Sequence, residues 1–262
     1  MASDGKGDPL RSTLNKLVGA TSLWLCAMTC SPALAQQFNS DNYLAKPHGM
    51  ATLIVTTGEQ TTMFMTTLSL FPNWELTAAA YLYNQDADRK TGEGYSGSAY
   101  AKYMIYENKA KTGGIAFKFG VGQQPSYVVD GTGFEGASQT LWVNSPLTLP
   151  FLDNRLSWDI MPGASVTRNY GDDEATVGAF TYSTRLAWYP KGPTLALVGE
   201  VYGAEGAAKL TPEYRAGLRW EPTTWANIAF TYGGTFNGMQ GSGFEIGVML
   251  FSPPFACFGP CR

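Results

Sequence analysis

The stretch 212–222, PEYRAGLRWEP, alternates between two kinds of residue. Tyr214, Ala216, Leu218 and Trp220 fall on one parity, and Arg215, Gly217 and Arg219 on the other. Successive side chains of a strand point to opposite faces. One face here is apolar and aromatic, and the other carries two full charges. A soluble sandwich holds such a strand with its charges in water. A membrane barrel turns the apolar face to lipid and the charged face to a polar lumen. The alternation alone fits both. Its repetition along the chain, behind an export signal, selects the barrel.

The export signal is at the N-terminus. Residues 1–16 contain Lys6, Arg11 and Lys16, and 17–30 is an apolar run. Ser31-Pro-Ala33-Leu-Ala35 then puts small residues at the two positions a signal peptidase reads. Residues 1–35 are expected to be a secretory signal peptide cleaved after Ala35. Asp4 and Asp8 make the leader longer and less basic than usual, which fits a start codon further downstream. Ala27-Met28-Thr29 lacks the small residue needed ahead of a lipidated Cys30. No later stretch approaches 18 apolar residues, which excludes a helical membrane bundle. The formal net charge is −3 and no basic stretch occurs, so no nucleic-acid partner is expected.

Runs of period two predict about twelve strands. They lie near 49–57, 62–71, 75–85, 98–107, 113–123, 138–149, 155–169, 178–189, 194–203, 213–221, 226–236 and 243–251. Most have the 9–11 residues that a tilted strand needs to cross a bilayer. Connections alternate in length. Short turns fall at 72–73, 109–111, 152–154, 191–193 and 223–225. Longer Gly- and Asp-rich loops fall at 86–97, 124–137, 170–177 and 204–212. Loops near 58–61 and 237–242 are shorter but sit on the long-loop side. Short turns at one rim and long loops at the other predict an all-β, closed antiparallel transmembrane barrel, with both termini on the short-turn side.

Aromatics gather at that rim. Phe71, Trp188, Trp220 and Phe251 stand beside or near prolines that end strands, and Trp74, Trp158 and Trp225 start returning ones. These seven are the expected interfacial girdle, because an aromatic ring with a polar tip suits the membrane–water boundary. From 49 to 251 the chain resembles Gram-negative outer-membrane β-barrel proteins of middle size, with a likeness to the meta-pathway phenol-degradation transporter type. The run Gly243-Phe-Glu-Ile-Gly-Val-Met-Leu-Phe251 looks like the terminal strand that the outer-membrane assembly machinery reads, although 252–262 follow it. The resemblance implies outer-membrane lipid and that machinery as partners. The expected organisation is 1–35 signal peptide, 36–48 periplasmic N-terminal segment, 49–251 barrel and 252–262 periplasmic tail.

Turning each apolar face outward lists the inward set. It comprises Tyr100, Lys102, Tyr106, Lys118, Arg155, Ser157, Asp159, Thr181, Ser183, Arg185, Glu200, Tyr202, Glu213, Arg215, Arg219 and Glu245. The candidates for a constriction are Lys102, Lys118, Asp159, Arg185, Glu200, Arg215, Arg219 and Glu245. Charges of both signs on neighbouring strands fit either of two functions. One is a narrow point that selects solutes, and the other is a set of pairs that satisfy each other. Twelve strands about 4.8 Å apart and tilted about 40° give a backbone radius of roughly 12 Å, which long side chains can largely fill.

Outer-membrane barrel enzymes, as a group, use a histidine base near the outer rim, within about 3 Å of the nucleophile. The one histidine, His48, precedes the first strand at the opposite end. Ser138, Ser183 and Asp172 therefore lack a base, and no enzyme, cofactor or metal site is expected. Asp172-Asp173-Glu174 reads as a solvated charge run, with loose divalent binding as the alternative. Cys26 and Cys30 leave with the signal. Cys257 and Cys261 remain, and two cysteines in an oxidising compartment are expected to form a disulfide, with a redox or metal pair as the alternative. The leading functional expectation is passive passage of a small solute through the outer membrane. The alternative is a non-conducting structural or surface-interaction barrel with a charge-paired lumen.

Overall fold

The computed structural model describes residues 40–83, 94–122, 139–170, 174–207, 210–237 and 241–255. The expected signal peptide, most of the loops 86–97 and 124–137, Asp172 and Asp173, and the Cys257–Cys261 pair lie outside the described residues. Among the described residues thirteen strands follow one another: β1 (Met50–Gly58), β2 (Thr61–Phe71), β3 (Trp74–Tyr83), β4 (Gly94–Glu107), β5 (Gly114–Gly122), β6 (Thr140–Asn144), β7 (Leu147–Phe151), β8 (Leu156–Tyr170), β9 (Ala175–Trp188), β10 (Leu195–Gly206), β11 (Leu210–Thr223), β12 (Ala226–Thr235) and β13 (Gly243–Phe251). All pairings are antiparallel, and β1 pairs with β13 to close the ring. Closure matters because an open edge in lipid leaves backbone groups without partners.

β6 and β7 are two halves of one crossing, so the ring is crossed twelve times. The continuous strand expected over 138–149 breaks at Ser145-Pro146. Proline has no N–H for the ladder, and Pro162 stands on the neighbouring β8. The gap is bridged locally. Ser145 N–H donates to the Pro162 carbonyl at 2.9 Å, and the Pro146 carbonyl accepts from Ala116 N–H at 2.9 Å. Ser145 Oγ adds a bond to the Ala116 carbonyl at 2.9 Å.

Connections on the rim shared by Gly49 and Phe251 are tight, as expected. Asn73, Leu152, Asp153 and Asn154 take positive φ there, which lets the chain reverse within a few residues.

Burial follows the alternation. Outward side chains such as Phe180, Leu186, Phe230 and Phe244 are exposed on the barrel's outside. Their inward neighbours Thr181, Arg185, Thr231 and Glu245 are buried. Three expectations fail. Tyr106 was expected inward and is 58% exposed. A bulge between Met104 and Tyr106 resets the parity of β4, since one extra residue flips the face. Arg155 lies in the exposed turn before β8, with its guanidinium on the Leu152 carbonyl. Phe251, expected in the girdle, is only 6% exposed and faces inward. Phe71, Trp158, Trp188, Trp220 and Trp225 are exposed on the outside, and Trp74 is half-buried against Tyr103.

Candidate functional site

The lumen wall carries two rows of charged residues, each at one level of the strand register. The first crosses β3 to β6: Glu75 faces Lys102, Lys102 faces Lys118, and Lys118 faces Asn144. The second crosses β8 to β11: Asp159 faces Arg185, Arg185 faces Glu200, and Glu200 faces Arg215. The two rows occupy neighbouring arcs of the closed ring, meeting where β6 and β7 pair with β8. The eight constriction candidates named from sequence are all buried and inward. The structure brings Asp159, Arg185, Glu200 and Arg215 into one row, and Lys102 and Lys118 into the other.

Each arginine of the second row is paired with a carboxylate of the wall. The Arg185 guanidinium donates from Nε and Nη2 to Asp159 Oδ2 at 2.9 and 2.6 Å. The other Asp159 oxygen accepts from Thr148 Oγ1 at 2.6 Å. Arg215 reaches Glu245 on β13 at 2.9 Å. Its register partner on the intervening β12 is Gly233, which has no side chain to block that path. Tyr202 donates its hydroxyl to Glu213 at 2.7 Å. Arg219 pairs with Glu221 at 3.1 Å, and Glu221 also accepts from Tyr189.

The first row does not balance by itself. It holds two ammoniums and one carboxylate, with Glu75 on Lys102 at 2.6 Å. The missing charge comes from Asp41, which lies ahead of β1. Its carboxylate sits 3.4 Å from Lys102 and 3.2 Å from Lys118. Burial pushes the Asp41 carboxyl up, but the Lys102 and Lys118 charges, with Arg185 beyond them, outweigh burial and hold it at about 2.

Asp41 belongs to a segment, residues 40–46, that runs inside the barrel. Ser40, Asp41, Asn42, Tyr43, Ala45 and Lys46 are all buried. Ser40 N–H donates to Glu200 on β10. Lys46 N–H donates to Glu75 on β3, at 2.8 Å and on the opposite side of the ring. Between them Tyr43 N–H donates to Thr148 Oγ1 at 3.2 Å, and the Tyr43 hydroxyl reaches Glu107 at 3.2 Å. Lys102 also donates to the Leu44 carbonyl at 2.6 Å. The wall is shaped to the segment. A Cβ on Gly114 would stand 2.5 Å from the Tyr43 ring, so only glycine leaves room there. The Lys46 amine lies 4.2 Å over the ring of the inward-facing Phe251. Burial pushes the Lys46 amine down to about 7; Glu75 opposes the shift, while Arg219 and Lys102 add to it.

Sequence reasoning missed Asp41, Tyr43, Lys46, Glu75 and Glu221. Glu75 and Glu221 sit next to the girdle residues Trp74 and Trp220 on the inward parity, a signal that was available. Residues 40–46 have no strand period, so nothing local in them points inward.

At the level of sequence the chain matches no protein-family model and no curated protein. In fold it is similar to several solved channels. The KdgM porin, solved in complex with disordered oligogalacturonate, is 10% identical, with 77% of this chain and 98% of that one covered and a TM-score of 0.52. An outer membrane channel from Pseudomonas putida F1 is 12% identical, with 80% and 97% covered and a TM-score of 0.47. The NanC porin is 8% identical, with 77% and 97% covered and a TM-score of 0.49. At such identities the likeness is one of fold, and the fold is the porin-like closed antiparallel β-barrel, crossed twelve times.

Proposed function

We propose that this protein is a barrel of the bacterial outer membrane that lets a small solute pass down its lumen, and that residues 40–46 set how open the path is. The observation that carries this reading is the sorting of charge. Apolar side chains occupy the outside of a closed ring, and the buried charges of the strands point into the bore. Rings of charged side chains at a constriction select what passes. The reading is non-catalytic. It is supported by the position of the single histidine, His48, just ahead of β1 and away from the outer rim.

A second reading has its own support. Arg185–Asp159, Arg215–Glu245 and Arg219–Glu221 are ion pairs within the wall, and a lumen filled by such pairs is a structural barrel that carries no solute.

Single-channel recording of the refolded mature chain in a planar bilayer separates the two. The channel reading expects discrete conductance, larger in a chain lacking 36–46. It also expects Arg215→Ser with Arg219→Ser to move ion selectivity towards cations, because two positive charges leave the wall. Folded barrels that stay silent in all three forms favour the structural reading.

A further inference from the structure

We propose that the pocket holding the Asp41 carboxylate is a binding site for a small organic carboxylate with a neighbouring hydroxyl or carbonyl group, and that Asp41 is its internal occupant. The inference rests on the lumen being a solute path, and it names the class of solute.

Three observations support it. The wall itself is unbalanced at this point. With Asp41 removed, Lys102 keeps Glu75, and Lys118 keeps no carboxylate within ion-pair distance among the described residues. A buried ammonium without a counter-charge is costly, so the pocket is built to hold an anion.

Further polar groups of the same wall have unmet hydrogen-bonding capacity. Asn144 faces Lys118 in the register, and Trp142 faces Gly120 two residues along. Both side chains are buried, at 3% and 2% exposure. Neither the Asn144 amide nor the Trp142 Nε1–H has a hydrogen-bond partner among the described residues. Buried polar groups are normally satisfied. An amide that both donates and accepts, beside an indole donor, suits a hydroxyl or carbonyl adjacent to a carboxylate. Gly120 keeps the indole in place, because a Cβ there would stand 2.4 Å from the Trp142 ring.

The present occupant is also exchangeable. Residues 40–46 join no strand ladder. Their contacts with the wall are side-chain contacts and not ladder pairings, among them the Asp41 ion pairs, hydrogen bonds to Glu200, Thr148, Glu107 and Glu75, the Lys102 bond to the Leu44 carbonyl and Lys46 over the Phe251 ring. A free carboxylate offers Lys102 and Lys118 the same partner that Asp41 offers. Its entry displaces Asp41 and frees the segment, so solute binding and widening of the bore become one event. A docked competitor lowers apparent affinity by the fraction of sites it leaves vacant.

Gluconate is the probe, with chloride at equal ionic strength and uncharged sorbitol as controls. Hydrogen–deuterium exchange on the folded mature barrel reads the segment, and calorimetry reads binding. Gluconate is expected to lower protection of the amides of 40–46, while chloride and sorbitol leave it unchanged. Asp41→Asn is expected to bind gluconate about ten-fold more tightly than the parent chain. Lys118→Met is expected to abolish binding, and Lys102→Met provides the same test if that variant does not fold. Equal effects of chloride and gluconate, or no tighter binding by Asp41→Asn, would overturn the proposal. Neither readout needs a current. A conducting barrel indifferent to gluconate therefore ends this inference alone, and a silent barrel that binds gluconate ends the channel reading and with it the assignment of a passing solute, leaving the pocket as a binding site.

Discussion

Phe230 and Phe251 are both aromatic strand residues, and parity decides what each one meets. Phe230 is outward at the middle of β12, 40% exposed on the barrel's outside. Phe230→Arg should cost roughly 2–4 kcal/mol, the range for a cation facing lipid near the midplane. Equilibrium unfolding from lipid vesicles measures it. Phe251 shares parity with Glu245 and Met249, so the inward turn was readable from β13 itself. The rule that places strand-end aromatics at the interface overrode it. A pH dependence also belongs at this scale. Docked Lys46 is held at about 7 against its ordinary 10.5, so a released segment binds more protons between those values. Docking therefore strengthens as pH rises from about 7 towards 10.5. Asp41 acts in the same direction. Held at about 2 against 3.8, it supports docking fully above 3.8 and loses that support as pH falls towards 2. The groups around Lys46 are Glu75, Glu221, Arg219 and Lys102, and those around Asp41 are Lys102, Lys118 and Arg185. Exchange protection of 40–46, corrected for intrinsic rates, should be higher at pH 9 than at pH 6.5. A flat or reversed profile contradicts this assignment.

Two elements depart from simple strand behaviour, each for a local reason. The β6–β7 break follows from Pro146, with Pro162 across from the adjacent Ser145, and Ser145 repairs it. Ser145→Ala should lower stability by about 0.5–1.5 kcal/mol, the net worth of one hydrogen bond, seen as a shifted urea midpoint at unchanged slope. The lumen segment is the other element. It lies outside the ladder, so a chain lacking 36–46 should still assemble, with unchanged strand content by circular dichroism. Its unfolding midpoint should fall, because Lys118 loses Asp41. A deletion that prevents assembly would make the segment part of the folding core rather than an occupant of it.

At the scale of the whole molecule, the alternation of tight turns and longer connections fixes one rim as the end where β1 begins and β13 finishes. In the proposed orientation that rim faces the periplasm. Single cysteines at Gly94 and Asn237 should then react with an impermeant label on intact cells, and cysteines at Asn154 and Gly192 should not. The opposite pattern would invert the topology. The barrel, most strand limits and the inward charges are legible in the chain's period-two pattern, because that period is a local property that each strand writes out on its own. The bulge at Met104–Tyr106 defeated that reading at Tyr106, since one extra residue shifts parity without changing composition. Which charges meet is set by the three-dimensional arrangement of the strands and the lumen segment. Lys102 and Lys118 are recognisably inward in sequence, but their counter-charge, Asp41, sits in a segment with no periodicity. It is brought to them by closure of the ring around it, through contacts between residues far apart in the chain, and no local pattern encodes such a contact.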